Sequence, residues 1–191
     1  GMNMKKIAFI NQRYGLEVNG GSEYYTREIV EHLAGNYDIT VLTTCAINHV
    51  TWKNEYKAGD DYVNGILVKR FHIKKKRGRI PLRVLEEIRR KIGKIPYFLE
   101  NYWLKEQGPY CPEMIEYIEN HQNDYDVFVF VTYLYYPTAA GVCKVRDRAI
   151  VVPTAHDEPS IYMRLYKPVF ECPRGIVYLT EEEKEFVENN F

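Results

Sequence analysis

No apolar run in the chain approaches the roughly 20 residues that a helix needs to cross a bilayer. Nothing at its N-terminus has the pattern of a signal peptide, and Gly1 ahead of Met2 reads as a scar of tag removal. Net charge is missing too. The 26 Lys and Arg equal the 26 Asp and Glu, so no global field favours nucleic acid and every charge argument is local. Cys45, Cys111, Cys143 and Cys172 form no Cys-x-x-Cys pair, and the five histidines have no metal-ligand spacing. The expectation is therefore reduced structural thiols in a cytoplasmic protein, and no metal site. Neither G-x-G-x-x-G nor a Gly-Lys-Ser/Thr phosphate loop occurs.

What is present describes a globular protein: 191 residues, 46% hydrophobic, with 17 tyrosines. That length buries one large domain. Apolar runs alternate with helical spacing almost throughout. The strands read Lys6–Ile10, Asp38–Thr44, Gly65–His72, Asp126–Thr132, Ala149–Ala155 and Gly175–Leu179. Helices are expected at Ser22–Ala34, Met114–His121, Pro137–Lys144 and Ile161–Phe170, with a last one from Thr180. Strands that are apolar at every position and separated by helices imply a doubly wound α/β domain: a mostly parallel sheet with helices on both faces. Pro153 is awkward inside its strand, because it cannot donate to the ladder.

The first strand runs through a polar loop into Gly20-Gly21-Ser22-Glu23, after which Tyr25, Ile29 and Leu33 recur every four residues. Ser22 is placed to cap that helix, and the glycines let main chain approach a ligand closely. Free amides at the positive end of a helix form a seat for an anion, most naturally phosphate. Sheets of this class bind ligands beyond the carboxyl ends of their strands. The residues there are Asn11, Thr44 and Cys45, Tyr133, His156-Asp157-Glu158 and Thr180. His156 can donate to a substrate oxygen, with Asp157 orienting it, or the two can simply serve the start of the next helix. Tyr133, Tyr135 and Tyr136 are candidates for stacking on a sugar, and core packing accounts for them equally well. A nicotinamide-binding loop is disfavoured. Gly15-Leu-Glu-Val-Asn-Gly20-Gly21 is too long for that tight turn, and Thr43-Thr44-Cys45 offers no acidic residue for a ribose.

The strongest local charge feature is Lys74-Lys75-Lys76-Arg77-Gly78-Arg79, continuing to Arg83, Arg89, Arg90, Lys91 and Lys94 against only Glu86 and Glu87. Leu85, Ile88, Ile92 and Ile95 share one face, so 74–94 reads as a basic loop and a basic amphipathic helix. Such a segment lies on an anionic membrane, attracts an anionic acceptor, or packs its apolar face on its own domain with the lysines solvated. Tyr97, Phe98, Tyr102 and Trp103 follow directly. Aromatics beside cations also suit single-stranded nucleic acid, but the zero net charge and the absence of any RNA- or DNA-module motif argue against it.

Lys6-Ile-Ala-Phe-Ile10 with the loop to Gly-Gly-Ser-Glu, Thr154-Ala-His-Asp157, and Gly175-Ile-Val-Tyr-Leu-Thr-Glu-Glu-Glu-Lys-Glu-Phe186 together resemble the N-terminal half of family 4 glycosyltransferases. The resemblance spans the chain except about 52–112. It implies a single Rossmann-like domain over 1–191, half of a GT-B fold, with a variable basic and aromatic helical insertion at about 73–112. It implies transfer of a sugar from a UDP- or GDP-linked donor to a glycan or lipid-linked acceptor, with retention and without a metal or other cofactor. Gly20, Gly21 and Ser22 would meet the donor diphosphate, and His156 and Asp157 the reaction centre. Asn11, Tyr133, Tyr135, Glu158 and Thr180 would form the acceptor and sugar rim. The family's nucleotide-sugar domain is not in this sequence, so the chain by itself is expected to be inactive. The expected place is the cytoplasm, with peripheral contact at the inner membrane face through 74–94. The alternative is a non-catalytic Rossmann-like module that binds a phosphorylated ligand or partner.

Overall fold

The computed structural model describes residues 3–191; the reading of Gly1 and Met2 lies outside them. Seven strands form one sheet in the order β3-β4-β2-β1-β5-β6-β7. They are β1 (Lys6–Ile10), β2 (Asp38–Thr44), β3 (Gly59–Val63), β4 (Ile66–Phe71), β5 (Val127–Val131), β6 (Ala149–Val152) and β7 (Gly175–Ile176). All neighbours run parallel except β3, which pairs antiparallel with β4. The helices are α1 (Gly21–Leu33), α2 (Arg79–Ile92), α3 (Tyr97–Gln107), α4 (Pro112–Asn120), α5 (Tyr136–Gly141), α6 (Lys167–Glu171) and α7 (Glu181–Asn190).

Why both faces are covered follows from the alternation of side chains along each strand. Ile7 and Phe9 of β1 join Val129 and Val131 of β5 under α1, where Val30 is fully buried and Tyr25, Ile29 and Leu33 pack around it. Ala8 and Ile10, with Phe128 and Phe130, face the other way into a larger core with Trp103, Met114, Ile118 and Tyr166. Strands apolar at every position are thus buried twice, as a doubly wound sheet requires. The domain is an α/β, Rossmann-like fold.

Several local expectations change. β6 stops at Val152, so Pro153 lies just past the strand, where its missing N–H costs nothing and its carbonyl accepts from the Tyr133 amide at 3.0 Å. The antiparallel edge was missed, although Asn64-Gly65 signalled it: both residues have positive φ, 49° and 81°, as a tight hairpin turn demands. β7 has only two residues, and 3-10 turns at Pro159–Tyr162 and Arg164–Tyr166 replace the first part of the helix expected over Ile161–Phe170, leaving α6 as its end. Cys143 and Cys172 form a disulfide across a Cα–Cα distance of 5.3 Å, which corrects the reduced-thiol expectation for that pair. They lie 29 residues apart and meet because the turn after α5 packs beside α6, a contact no spacing rule reveals. Cys45 and Cys111 are buried free thiols. The bond also removes the cysteine argument for a cytoplasmic location. Among the described residues no helix is long and apolar enough to cross a membrane.

On α2 the predicted apolar face is spent on the domain itself. Leu85 is buried, Leu82 and Ile88 pack against the larger core, and Ile95 beyond the helix is buried as well. Ile92 alone of the four stays exposed. Apart from Ile92, that face is therefore not available to a bilayer.

Candidate functional site

Strand order reverses at β1, with β2 on one side and β5 on the other, so a crevice opens beyond the carboxyl ends of β1 and β5. A cleft of about 980 Å³ lies there. Gln12 and Arg13 after β1, Thr132–Tyr135 after β5, Thr154–Glu158 after β6 and the 179–183 turn line it, facing Gly20–Glu23 at the start of α1.

The floor is a buried polar network. Arg13 Nε and Nη2 lie 3.0 and 2.8 Å from Glu23 Oε1, and both side chains are 7% exposed. The same guanidinium donates to the carbonyls of Ile47 and Asn19 at 2.7 Å each, which pins the loop before Gly20. Gln12 Nε2 donates to Glu23 Oε1 at 2.8 Å, and Gln12 Oε1 accepts from the Thr132 hydroxyl at 3.2 Å. Removing either member of such a buried pair costs about 3–5 kcal/mol, because a desolvated charge is left alone.

This network explains Gly20, whose φ is 153°. A Cβ there would sit 2.3 Å from Glu23 Oε2 and 2.9 Å from Arg13 Nη2, so the missing side chain makes room for the ion pair. Gly21 differs: a Cβ would meet nothing within 4 Å. Among the described residues the amides of Gly20, Gly21 and Ser22 have no protein acceptor, and they stand at the positive end of α1.

Ser22 does not cap the helix. α1 starts one residue early with Gly20 as its N-cap, and the Ser22 hydroxyl donates to Glu23 Oε2 at 3.0 Å while accepting from Gln12 Nε2 at 3.2 Å. Asn11 is not on the rim either. It is 1% exposed and fastens α1 to the sheet through Nδ2 bonds to Thr26 Oγ1 (2.7 Å) and the Ser22 carbonyl (3.3 Å). Thr44 and Cys45 are buried beside the cleft rather than in its wall, with the Thr44 hydroxyl donating to the Gln12 carbonyl at 2.6 Å. Gly20, Gly21, Ser22, Tyr133, Tyr135, His156, Asp157, Glu158 and Thr180 line it as expected.

Among these, His156 and Asp157 are exposed. Asp157 Oδ1 accepts from the Tyr162 hydroxyl at 2.7 Å, and among the described residues no hydrogen bond joins it to His156. The expected orienting contact is thus replaced by one that holds Asp157 on the 159–162 turn. Tyr133 is 1% exposed with its hydroxyl donating to Glu158, so its ring is core and only its polar end serves the wall. Burial and the Glu158 carboxylate push the Tyr133 phenol far up, and burial raises Tyr135 as well, so both stay neutral donors. Tyr135 meets Trp52 edge to face at 5.5 Å. Tyr136 packs edge to face on Tyr110 at 5.1 Å and does not reach the cleft. The Thr180 hydroxyl caps α7 by accepting from the Glu183 amide at 3.1 Å.

Three features escaped the sequence reading. Thr132 and Thr154, both lining the cleft, have φ of 71° and 48°. A β-branched residue in that region costs about 1–3 kcal/mol, and such strain gathers at working sites. A threonine code letter carries no sign of it. Glu183 is buried, and its carboxylate accepts from the amides of Ala155 (2.5 Å) and Leu179 (2.8 Å), tying α7 to the peptide before His156. The Thr180-x-x-Glu183 capping-box spacing was the available signal. His49, from the loop after β2, adds a second imidazole to the wall. Among the described residues no three His, Cys, Asp or Glu side chains are grouped to hold a metal ion.

With this geometry in place, the comparisons are brief. No protein-family model and no curated protein matches the chain.

Proposed function

We propose that this chain is the acceptor-side half of a retaining glycosyltransferase that uses a nucleotide sugar. One observation carries the reading: the unpaired amides of Gly20 and Gly21 and the exposed His156 open on the same cleft, at the switch point of the sheet. The amides and the end of α1 suit a diphosphate, whose charge grows as the sugar leaves. Glu23 does not spoil that seat, since Arg13 neutralises it at 2.8 Å. His156 would donate to the transferred sugar, while Tyr135, Glu158 and the 179–182 turn bound the acceptor. In this reading a second, facing α/β domain holds the donor's nucleotide, and the acceptor hydroxyl displaces the nucleoside diphosphate from the anomeric carbon.

The test is an amide-resolved NMR titration of the chain with UDP- and GDP-sugars. Weak binding that shifts Gly20, Gly21, Ser22 and the 155–158 amides is expected; shifts confined to other surfaces overturn the reading. In a protein joining both halves, His156→Ala is expected to lower kcat by about 10²–10³-fold. Unchanged turnover removes His156 from the site.

A second reading rests on the lack of any hydrogen bond from Asp157 to the His156 ring. A module that binds a phosphorylated ligand without transforming it needs no oriented imidazole. It would shift the Gly20–Ser22 amides with inorganic pyrophosphate and leave 155–158 unmoved.

A further inference from the structure

The surface where α2 meets α3 is not explained by the cleft. Within 92–98, Ile92 is 62%, Tyr97 66% and Phe98 81% exposed. These are three large apolar side chains presented to water in seven residues, at the turn through Gly93-Lys94-Ile95-Pro96. Lys91 and Lys94 stand among them, exposed and, among the described residues, without a carboxylate within 4.0 Å. The neighbouring Arg89 and Arg90 are already paired with Glu86 and Glu87. The Arg164 guanidinium lies 5.3 Å from the centre of the Tyr97 ring, which fixes that aromatic at the edge of the patch.

From this arrangement we infer that the α2–α3 tip docks the protein on a bilayer that carries anionic lipid. Ile92 and Phe98 would enter the acyl boundary, and Tyr97 would sit at headgroup level, where an aromatic with a polar end is most at home. Lys91 and Lys94 would meet lipid phosphates. A second copy of the chain is the poorer partner, since a self-facing patch sets these uncompensated lysines against each other. The docking surface keeps only Ile92 of the α2 face that the sequence suggested; the rest of that face packs on the core. A groove of about 720 Å³ runs from Lys94 and Tyr97 to Tyr162, the residue that holds Asp157. A docked molecule would thus bring its cleft wall close to the lipid surface. The inference stands whether or not the cleft transfers sugar, and its readout does not involve the cleft.

The chain is sedimented with phosphatidylcholine vesicles, with and without phosphatidylglycerol. Binding to the anionic vesicles alone, lost at high salt, is expected. Lys91→Gln and Lys94→Gln should each weaken it about fivefold. Phe98→Ser should weaken it about tenfold with an unchanged unfolding midpoint, because the ring supports no core. Equal recovery in both supernatants overturns the inference. So does a dimer that Phe98→Ser dissociates while wild type ignores vesicles, since a second copy would then cover the patch.

Discussion

At the scale of single residues, the two glycines at the head of α1 do different work, and alanine separates them. Gly20→Ala must hold a side chain at φ 153°, ψ 149° and push into the Glu23–Arg13 pair, so a loss of about 1–3 kcal/mol is expected in denaturant unfolding. Gly21→Ala meets open space at a helical position and should leave stability equal or higher by up to about 1 kcal/mol. Its methyl group would stand over the free amides, so phosphate-ligand binding should fall while the fold holds. A stable Gly20→Ala protein would remove the ion pair as the reason for that glycine. The sequence showed that this turn needed small residues. It did not show which glycine serves the protein and which faces the cleft, because that depends on where Glu23 folds back. Asn11 makes the same point. Its place just past a strand end suggested the rim, yet the partners that pull it inward, Thr26 and the Ser22 carbonyl, belong to a helix that spacing alone cannot orient.

At the scale of elements, strands and their burial were legible because alternating clusters on β1 and β5 need apolar residues at every position. The short pieces after β6 were not. Their shape is set by tertiary ties such as Glu183, which reaches from α7 to the Ala155 amide. Glu183→Ala leaves the buried Ala155 amide and the part-buried Leu179 amide without acceptors, and about 1–3 kcal/mol is at stake at Ala155 and less at Leu179. We expect faster hydrogen exchange at Ala155 and Leu179 and a lower unfolding midpoint, with α1 and β1 unaffected. Glu183→Gln keeps an acceptor oxygen and should restore part of the protection. Uniform loss of protection across the sheet would mean that α7 supports the whole domain rather than the His156 loop.

At the scale of the whole molecule, the 17 tyrosines decide how the protein meets alkali. Burial is the first cause that raises Tyr14, Tyr133 and Tyr166, each 1% exposed or less; Tyr14 reaches about 12 and the other two lie higher. Their ordinary value is 10, which the unfolded chain retains. Below pH 10 both states are protonated, and the stability these phenols contribute is fully present. Above it the unfolded chain releases protons first, so folding free energy falls with rising pH until the folded values are passed. Three such groups remove about 4 kcal/mol per pH unit, a large share of the 5–15 kcal/mol that holds a typical domain together. A two-step titration by ultraviolet phenolate absorbance is therefore expected. The buried set ionises only with loss of near-ultraviolet circular dichroism, between about pH 11 and 12. If all the phenols ionise in one step near pH 10 while the dichroism persists, the tyrosines around Tyr133 and Tyr166 are reached by solvent. The cleft wall that Tyr133 and Glu158 form would then be mobile, and the seat opposite Gly20 would lose its fixed partner.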